Sequence, residues 1–526
     1  MADAQASQLR LSQSGVHVRS AYPALLACLA VAVYALWLAL VLVPTNVDVS
    51  WLIVASERLL DGERLTVDVM EVNPPFSVWL YMPFVVLERL AGGRAELWMA
   101  AGVVAAGLAS VAISARMLVR QDPAYLRPRA IVTLPVITFF VLCLFPEEFG
   151  QREQLAAIAI LPWVALQCVR QRHPDFVAPG RWEPVLAGIC AAVVVIIKPP
   201  HFALALMLPS AWLALHRRSW KPLFVFENMA GVAIVAVYVG WLLLFQPSFL
   251  SEVLPFASAV YLPFREPLVN LITDWPQTVL LLALMTAMVA GGPRRLHWDA
   301  KIPLLSAFGF LAVFVIMGKG WPNHAWPMLT LSMTAFVIQL VRTESFWALK
   351  PVGKAAAIAG CFLMLKAAFV IQKAPLLEDH TTLERTVAAV GGAAERPTIV
   401  SLAAQMQVAH PLSRLVGGDF VSRYPSAWAV YNADVLARNA ADPEKRQRLE
   451  AIRDGLIAEF AEEISAKKPD IVLYGAEAGR RSAELMLRNE KIAAALRDYE
   501  VLLQEGDVTV YRHAGVPHKT LAEEPR

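Results

Sequence analysis

A charge held at membrane depth is costly and is retained for a reason, so the ionisable residues of an apolar chain are the first place to look for chemistry. Only 17% of this chain is Asp, Glu, Lys or Arg, and the residues of interest gather in short connections between apolar runs. Asp48 and Glu71 stand in NVDVSWLIVASERLLDGERLTVDVMEVNPPF, with Glu71 just ahead of Asn73-Pro74-Pro75. A second group fills the connection Glu147-Glu148-Phe149-Gly150-Gln151-Arg152-Glu153-Gln154. Lys198 and His201 flank Pro199-Pro200, Lys319 and His324 lie in GKGWPNH, and Arg265 lies in YLPFREPL. The Arg152 fork suits bidentate phosphate contact, with Glu148 or Glu153 to orient it. Lys198, Lys319 and His324 sit beside glycines and prolines that let backbone approach a headgroup, and His201 and Arg265 add further candidate cations. Each residue has a structural alternative. The 147–154 group could be an ion-pair network closing a loop. The lysines could snorkel to lipid phosphate. Asp48 could be a solvated acid or a helix cap, Glu71 a loop anchor, and His324 a satisfied structural histidine.

The elements that position these residues follow from composition. With 526 residues, 57% hydrophobic content and a mean hydropathy of +0.50, the chain is no soluble enzyme, coiled coil or disordered protein. A net charge of +3 without a basic stripe gives no footprint for nucleic acid. Cys28, Cys143, Cys168, Cys190 and Cys361 all fall in apolar runs, with no CxxC or HExxH spacing. A divalent metal would have to sit on loose carboxylates such as Asp48, so the sequence leaves metal dependence open.

Loop charge decides which apolar runs cross. Basic, cytoplasmic connections are read at the N-terminus (Arg10, Arg19) and at 116–129, 170–181, 216–221, 294–301 and 342–354. The spans alternating with them run at 22–44, 96–116, 130–146, 154–169, 184–197, 201–215, 222–246, 275–292, 302–317, 325–341 and 355–372, about eleven helices. The first is too long for a signal-peptide core and is read as retained. The run PPFSVWLYMPFVVLERL is short and contains Pro83, and counting it as a crossing would reverse every later loop, so it is read as interfacial. Trp51, Trp79, Trp98, Trp275, Trp321 and Trp326 near span ends read as an interfacial belt. The expected fold is therefore an all-α polytopic membrane bundle with a soluble α/β domain. Its parts are a cytoplasmic tail (1–21), a transmembrane domain (22–372) with an outer loop at 45–95, and an extracytoplasmic domain (373–526). The last carries strand-like PTIVSL, DIVLY and VTVYR and an amphipathic stretch at 441–467.

In specific residues the chain resembles the GT-C glycosyltransferases, the membrane enzymes that include the protein mannosyltransferases and the lipid A aminoarabinose transferase. Members carry an acid just after the first span, an interfacial A-x-x-L-L-x-G helix, and then an acid and Pro-Pro opening a second interfacial helix. Here these are Asp48, ASERLLDG ending at Gly62, and Glu71 with Pro74 and Pro75. The likeness covers roughly residues 22–250. Where well-known relatives carry an acidic pair this chain has Asp48-Val49, and where some carry Lys before Pro-Pro it has Asn73.

The resemblance implies transfer of a sugar from a polyprenyl-phosphate donor to a lipid, glycan or protein acceptor on the extracytoplasmic face. Asp48 would be the general base of an inverting displacement and Glu71 a second catalytic carboxylate. Arg152, Lys198, His201, Lys319, His324 and Arg265 would bind the donor phosphate, and Asn73, Glu148 and Glu153 would orient substrate. It also implies a multi-pass protein of the bacterial inner membrane whose site and C-terminal domain face the periplasm. A transporter or flippase, or an assembly protein for lipid-linked glycans, is the competing reading. A transporter places its ionisable residues at mid-membrane, whereas these crowd one face.

Overall fold

The computed structural model describes residues 22–173, 175–178, 180–273, 279–285, 296–342, 350–475 and 485–516. The expected tail 1–21, most of the 275–292 span including Trp275, and parts of the basic connections 294–301 and 342–354 lie outside them. In chain order the helices used below are α1 (Tyr22–Leu42), α2 (Val47–Leu60), α3 (Met82–Ala91), α4 (Ala95–Gln121) and α5 (Thr133–Leu142). There follow α6 (Arg152–Arg172), α7 (Trp182–Ile197), α8 (Leu204–Arg217), α9 (Phe226–Phe245), α10 (Trp298–Met317), α11 (Pro322–Arg342) and α12 (Pro351–Lys373), then α13 (Trp428–Asn439) and α14 (Pro443–Lys467). Among the described residues six helices are long and apolar enough to cross a membrane: α1, α4, α9, α10, α11 and one beginning at Pro351. The other expected spans correspond to helices that are shorter, or, like α6, more polar.

The chain divides into two compact units. The first holds residues 1–44, 96–241 and 266–376. Its centre is α11, buried from Asn323 through Phe336, which is what an apolar helix does when neighbours cover every side. It packs on α10, α6 and α5. α10 and α8 approach backbone to backbone at Gly309, where an added Cβ would stand 2.5 Å from Leu204 O. Both ends of α10 are ionic. At its N-terminus Asp299 accepts from Arg342 at 2.9 Å and pairs with Arg172. Nearby, Arg170 pairs with Glu227 at 2.8 Å. At its C-terminus Gly318, at φ +66°, turns the chain toward Lys319. Twenty residues at 1.5 Å rise separate these ends by about 30 Å, the thickness of a bilayer's hydrocarbon core.

The second unit holds residues 45–95, 242–265 and 377–526. Its five-stranded sheet comprises β1 (Thr398–Ser401), β2 (Asp419–Phe420), β3 (Ile471–Gly475), β4 (Tyr499–Glu505) and β5 (Val508–His513), in the order β2-β1-β3-β5-β4. β1 runs parallel to β2 and β3, and β5 antiparallel to β3 and β4. α14 starts at Pro443 because Asp442 caps it, accepting from Glu444 N. The first-loop segment is stitched to this domain. Met70 N donates to Arg423 O at 2.8 Å, Arg423 donates to Thr66 O at 2.7 Å, and Arg414 pairs with Glu57. The PPFSVWLYMPFVVLERL run forms two helices, Phe76–Trp79 and α3, each too short to cross a bilayer.

Candidate functional site

In the second unit the side chain of Asn46 caps α2 by accepting from Asp48 N at 3.0 Å. The cap is thus Asn46, and Asp48 is a half-buried acid in the first turn, where the helix dipole favours negative charge. Glu71 is buried and accepts three hydrogen bonds. Trp51 Nε1 donates to Oε2 at 2.6 Å, and Asn73 donates to Oε1 through its backbone N–H at 2.7 Å and its side-chain amide at 2.6 Å. Asn73 therefore orients Glu71 directly. Trp51 and Trp326, read from sequence as belt residues, are fully buried instead. Nothing in the pattern of span-end aromatics distinguishes a buried indole that serves a carboxylate from one that faces headgroups. Arg265 belongs to this unit and is exposed.

The first unit brings five of the other candidates together. The connection after α5 makes a 3₁₀ turn, Pro146–Glu148, and the chain then enters α6 at Arg152. Gly150, at φ +82°, permits this turn, and its N–H is accepted by Gln154, which in turn donates to Val141 and Leu142 carbonyls. Arg152 and Glu153 are thereby carried into the interior, and Glu153 is fully buried. The break after α7 sets Lys198 opposite. Its ammonium donates to Glu153 Oε1 and, at 2.7 Å, to His324 Nε2. His324 opens α11 after the Gly318–Gly320 turn, and its Nε2 lies 3.5 Å from Glu153 Oε1. Since Lys198 donates to Nε2, the ring proton of neutral His324 sits on Nδ1. That Nδ1 and Glu153 Oε2 are both buried and have no hydrogen-bond partner among the described residues. Arg152 and Lys319 are near enough for their charges to act on His324.

Two candidates stand apart from this group. Glu148 accepts from the Gln151 side chain at 3.3 Å and closes its own turn. His201 is half-buried and opens the short turn His201–Ala203 that follows Pro199-Pro200.

Among solved structures, the chain is similar to ArnT from Cupriavidus metallidurans in the apo state, with a TM-score of 0.57 at 13% identity over 93% of this chain and 97% of that one. The fold is the GT-C fold. The same protein bound to undecaprenyl phosphate aligns at a TM-score of 0.49 and 13% identity, over 93% of this chain and 97% of that one. The oligosaccharyltransferase AglB from Archaeoglobus fulgidus, in complex with an inhibitory peptide and a dolichol-phosphate, aligns at 0.47 and 12% identity over 91% of this chain and 72% of that one. No family model and no curated protein matches the sequence. Within this GT-C fold the first unit presents three cations, an imidazole and one carboxylate, suited to hold a phosphate. The second presents Asp48, a half-buried acid in the first turn of α2, together with the oriented Glu71. Among the described residues no group of three or more His, Cys, Asp or Glu side chains is placed to hold a metal ion.

Proposed function

We propose that this chain is an integral-membrane glycosyltransferase that moves one sugar from a polyprenyl-phosphate donor to a hydroxyl of a lipid, glycan or protein acceptor on the extracytoplasmic face. The observation that carries the proposal is the buried group of Lys198, Glu153 and His324, with Arg152 and Lys319 acting on it, inside a helical unit of GT-C fold. Cations kept at such depth imply an anionic partner. A polyprenyl phosphate brings its phosphate to the membrane on an apolar tail.

Asp48 accepts the proton of the acceptor hydroxyl, whose oxygen then attacks the anomeric carbon as the bond to the donor phosphate breaks. Negative charge grows on the departing phosphate, and Arg152, Lys198 and Lys319 stabilise it, with the Nδ1–H of His324 as a further donor. A single displacement inverts the anomeric configuration. On this reading the chain crosses the membrane about eleven times and the transfer takes place on the extracytoplasmic side.

The test is turnover of a panel of labelled polyprenyl-phosphate sugars by the full-length protein in nanodiscs. Asp48→Asn is expected to abolish transfer while expression and melting temperature stay near wild type; near-normal turnover would remove Asp48 from the base role. Transport of the intact donor without bond cleavage would favour a flippase.

A further inference from the structure

Glu71 Oε1 accepts two hydrogen bonds and Oε2 accepts one. A carboxylate oxygen offers two lone pairs, so among the described residues a single acceptor direction is left, on Oε2, and the Trp51 indole fixes which one. Trp51 is itself set by the C-terminal domain. Its ring lies 5.5 Å from the imidazole of His410 and 6.0 Å, edge-on, from the phenyl ring of Phe420, which stand 4.7 Å from each other. Phe420 ends β2, held in parallel register opposite Ile399, and His410 is fully buried with Ser413 Oγ 3.4 Å from its Nδ1.

We propose that Trp51, Phe420 and His410 are positioning residues for the transferase reaction. The aromatic wall of the C-terminal domain holds the Trp51 indole, the indole holds Glu71 Oε2, and the remaining lone pair of that oxygen receives a substrate hydroxyl. This gives the C-terminal domain a task in turnover. The proposal rests on the transferase reading for its rates, and on spectroscopy for its geometry.

The full-length protein in nanodiscs carries 5-fluorotryptophan, and the Trp51 resonance among the 15 tryptophans is identified by its loss in Trp51→Phe. That resonance is expected to shift in Glu71→Gln and again in Phe420→Ala. On the donor panel, Trp51→Phe is expected to lower kcat about 10-fold or more while donor KM stays within about twofold. Phe420→Ala lowers kcat in the same way, and Phe420→Tyr restores it. The double variant is expected to be no slower than Trp51→Phe alone, because Phe420 acts through Trp51. Additive losses, or a fluorine resonance unmoved by Phe420→Ala, would overturn the proposal. If Phe420→Ala does not fold, Phe420→Leu takes its place. A wild-type protein that turns over no donor refutes the transferase reading, and the fluorine spectra then decide the clamp alone.

Discussion

Lys198 and Glu153 show what a buried pair asks of its neighbours. Removing one partner strands the other charge in the interior, a loss of about 3–5 kcal/mol, whereas replacing both by neutral groups is close to harmless. Lys198→Met is therefore expected to lower the melting temperature markedly, and Lys198→Met with Glu153→Gln to recover most of it. If Lys198 also serves the donor, the double variant still binds polyprenyl phosphate at least about tenfold more weakly, as equilibrium binding in detergent would show. His410 gives a pH signature in the soluble domain. Burial, reinforced by Arg414 and opposed by a hydrogen bond to the Pro425 backbone, pushes its pKa down to about 3. The unfolded chain takes up that proton near pH 6.5 and the folded one does not, so stability rises with pH between about 3 and 6.5 and is lost on acidification. His410→Gln is expected to flatten this acid limb in thermal melts of the full-length protein from pH 4 to 7. At this scale the sequence was legible where cost is high: Arg152, Glu153, Lys198, Lys319 and His324 stand out because charges are rare among apolar runs. Trp51 was not legible, since 15 tryptophans scattered near span ends look alike until their partners are known.

Helices and strands were legible where a period runs long enough. The amphipathic stretch expected at 441–467 is α14, PTIVSL contains β1, and DIVLY and VTVYR cover all but the last residue of β3 and β5. β2, with only two residues, and β4, with no fully buried position, escaped because neither carries an alternating buried face. The glutamate-rich connection at 147–154 was read as a loop, but α6 already begins at Arg152, since Gly150 and Gln154 turn the chain inside the bundle. Helix packing also hides in sequence. Gly309 reads as a neutral apolar residue, yet a Cβ there would stand 2.5 Å from both Leu204 O and Ala205 Cα of α8, backbone atoms that cannot swing aside. Gly309→Leu is expected to cost about 1–3 kcal/mol or more, lowering the melting temperature and the yield of folded protein. Gly240→Leu, at a glycine with open space around it, is expected to leave both near wild type.

For the whole molecule the open quantity is the number of crossings, and one helix decides it. The two ionic ends of α10 are a bilayer's thickness apart, and the end with Arg170, Arg172 and Arg342 matches the basic, cytoplasmic side read from the loops. Between residue 218 and residue 462 the eleven-span scheme requires five crossings. Four of them correspond to α9, α10, α11 and α12. The fifth would lie at 275–292, of which only 279–285 is described, as helix. Five crossings place the two positions on opposite sides of the membrane, and four place them on the same side. A membrane-impermeant maleimide is therefore expected to label Glu462→Cys in intact cells and to reach Arg218→Cys only after permeabilisation; both side chains replaced are exposed. Labelling of both from outside would remove the 275–292 crossing. Exchange of the two patterns would put the C-terminal unit in the cytoplasm, where Asp48 and Glu71 could not serve an extracytoplasmic transfer.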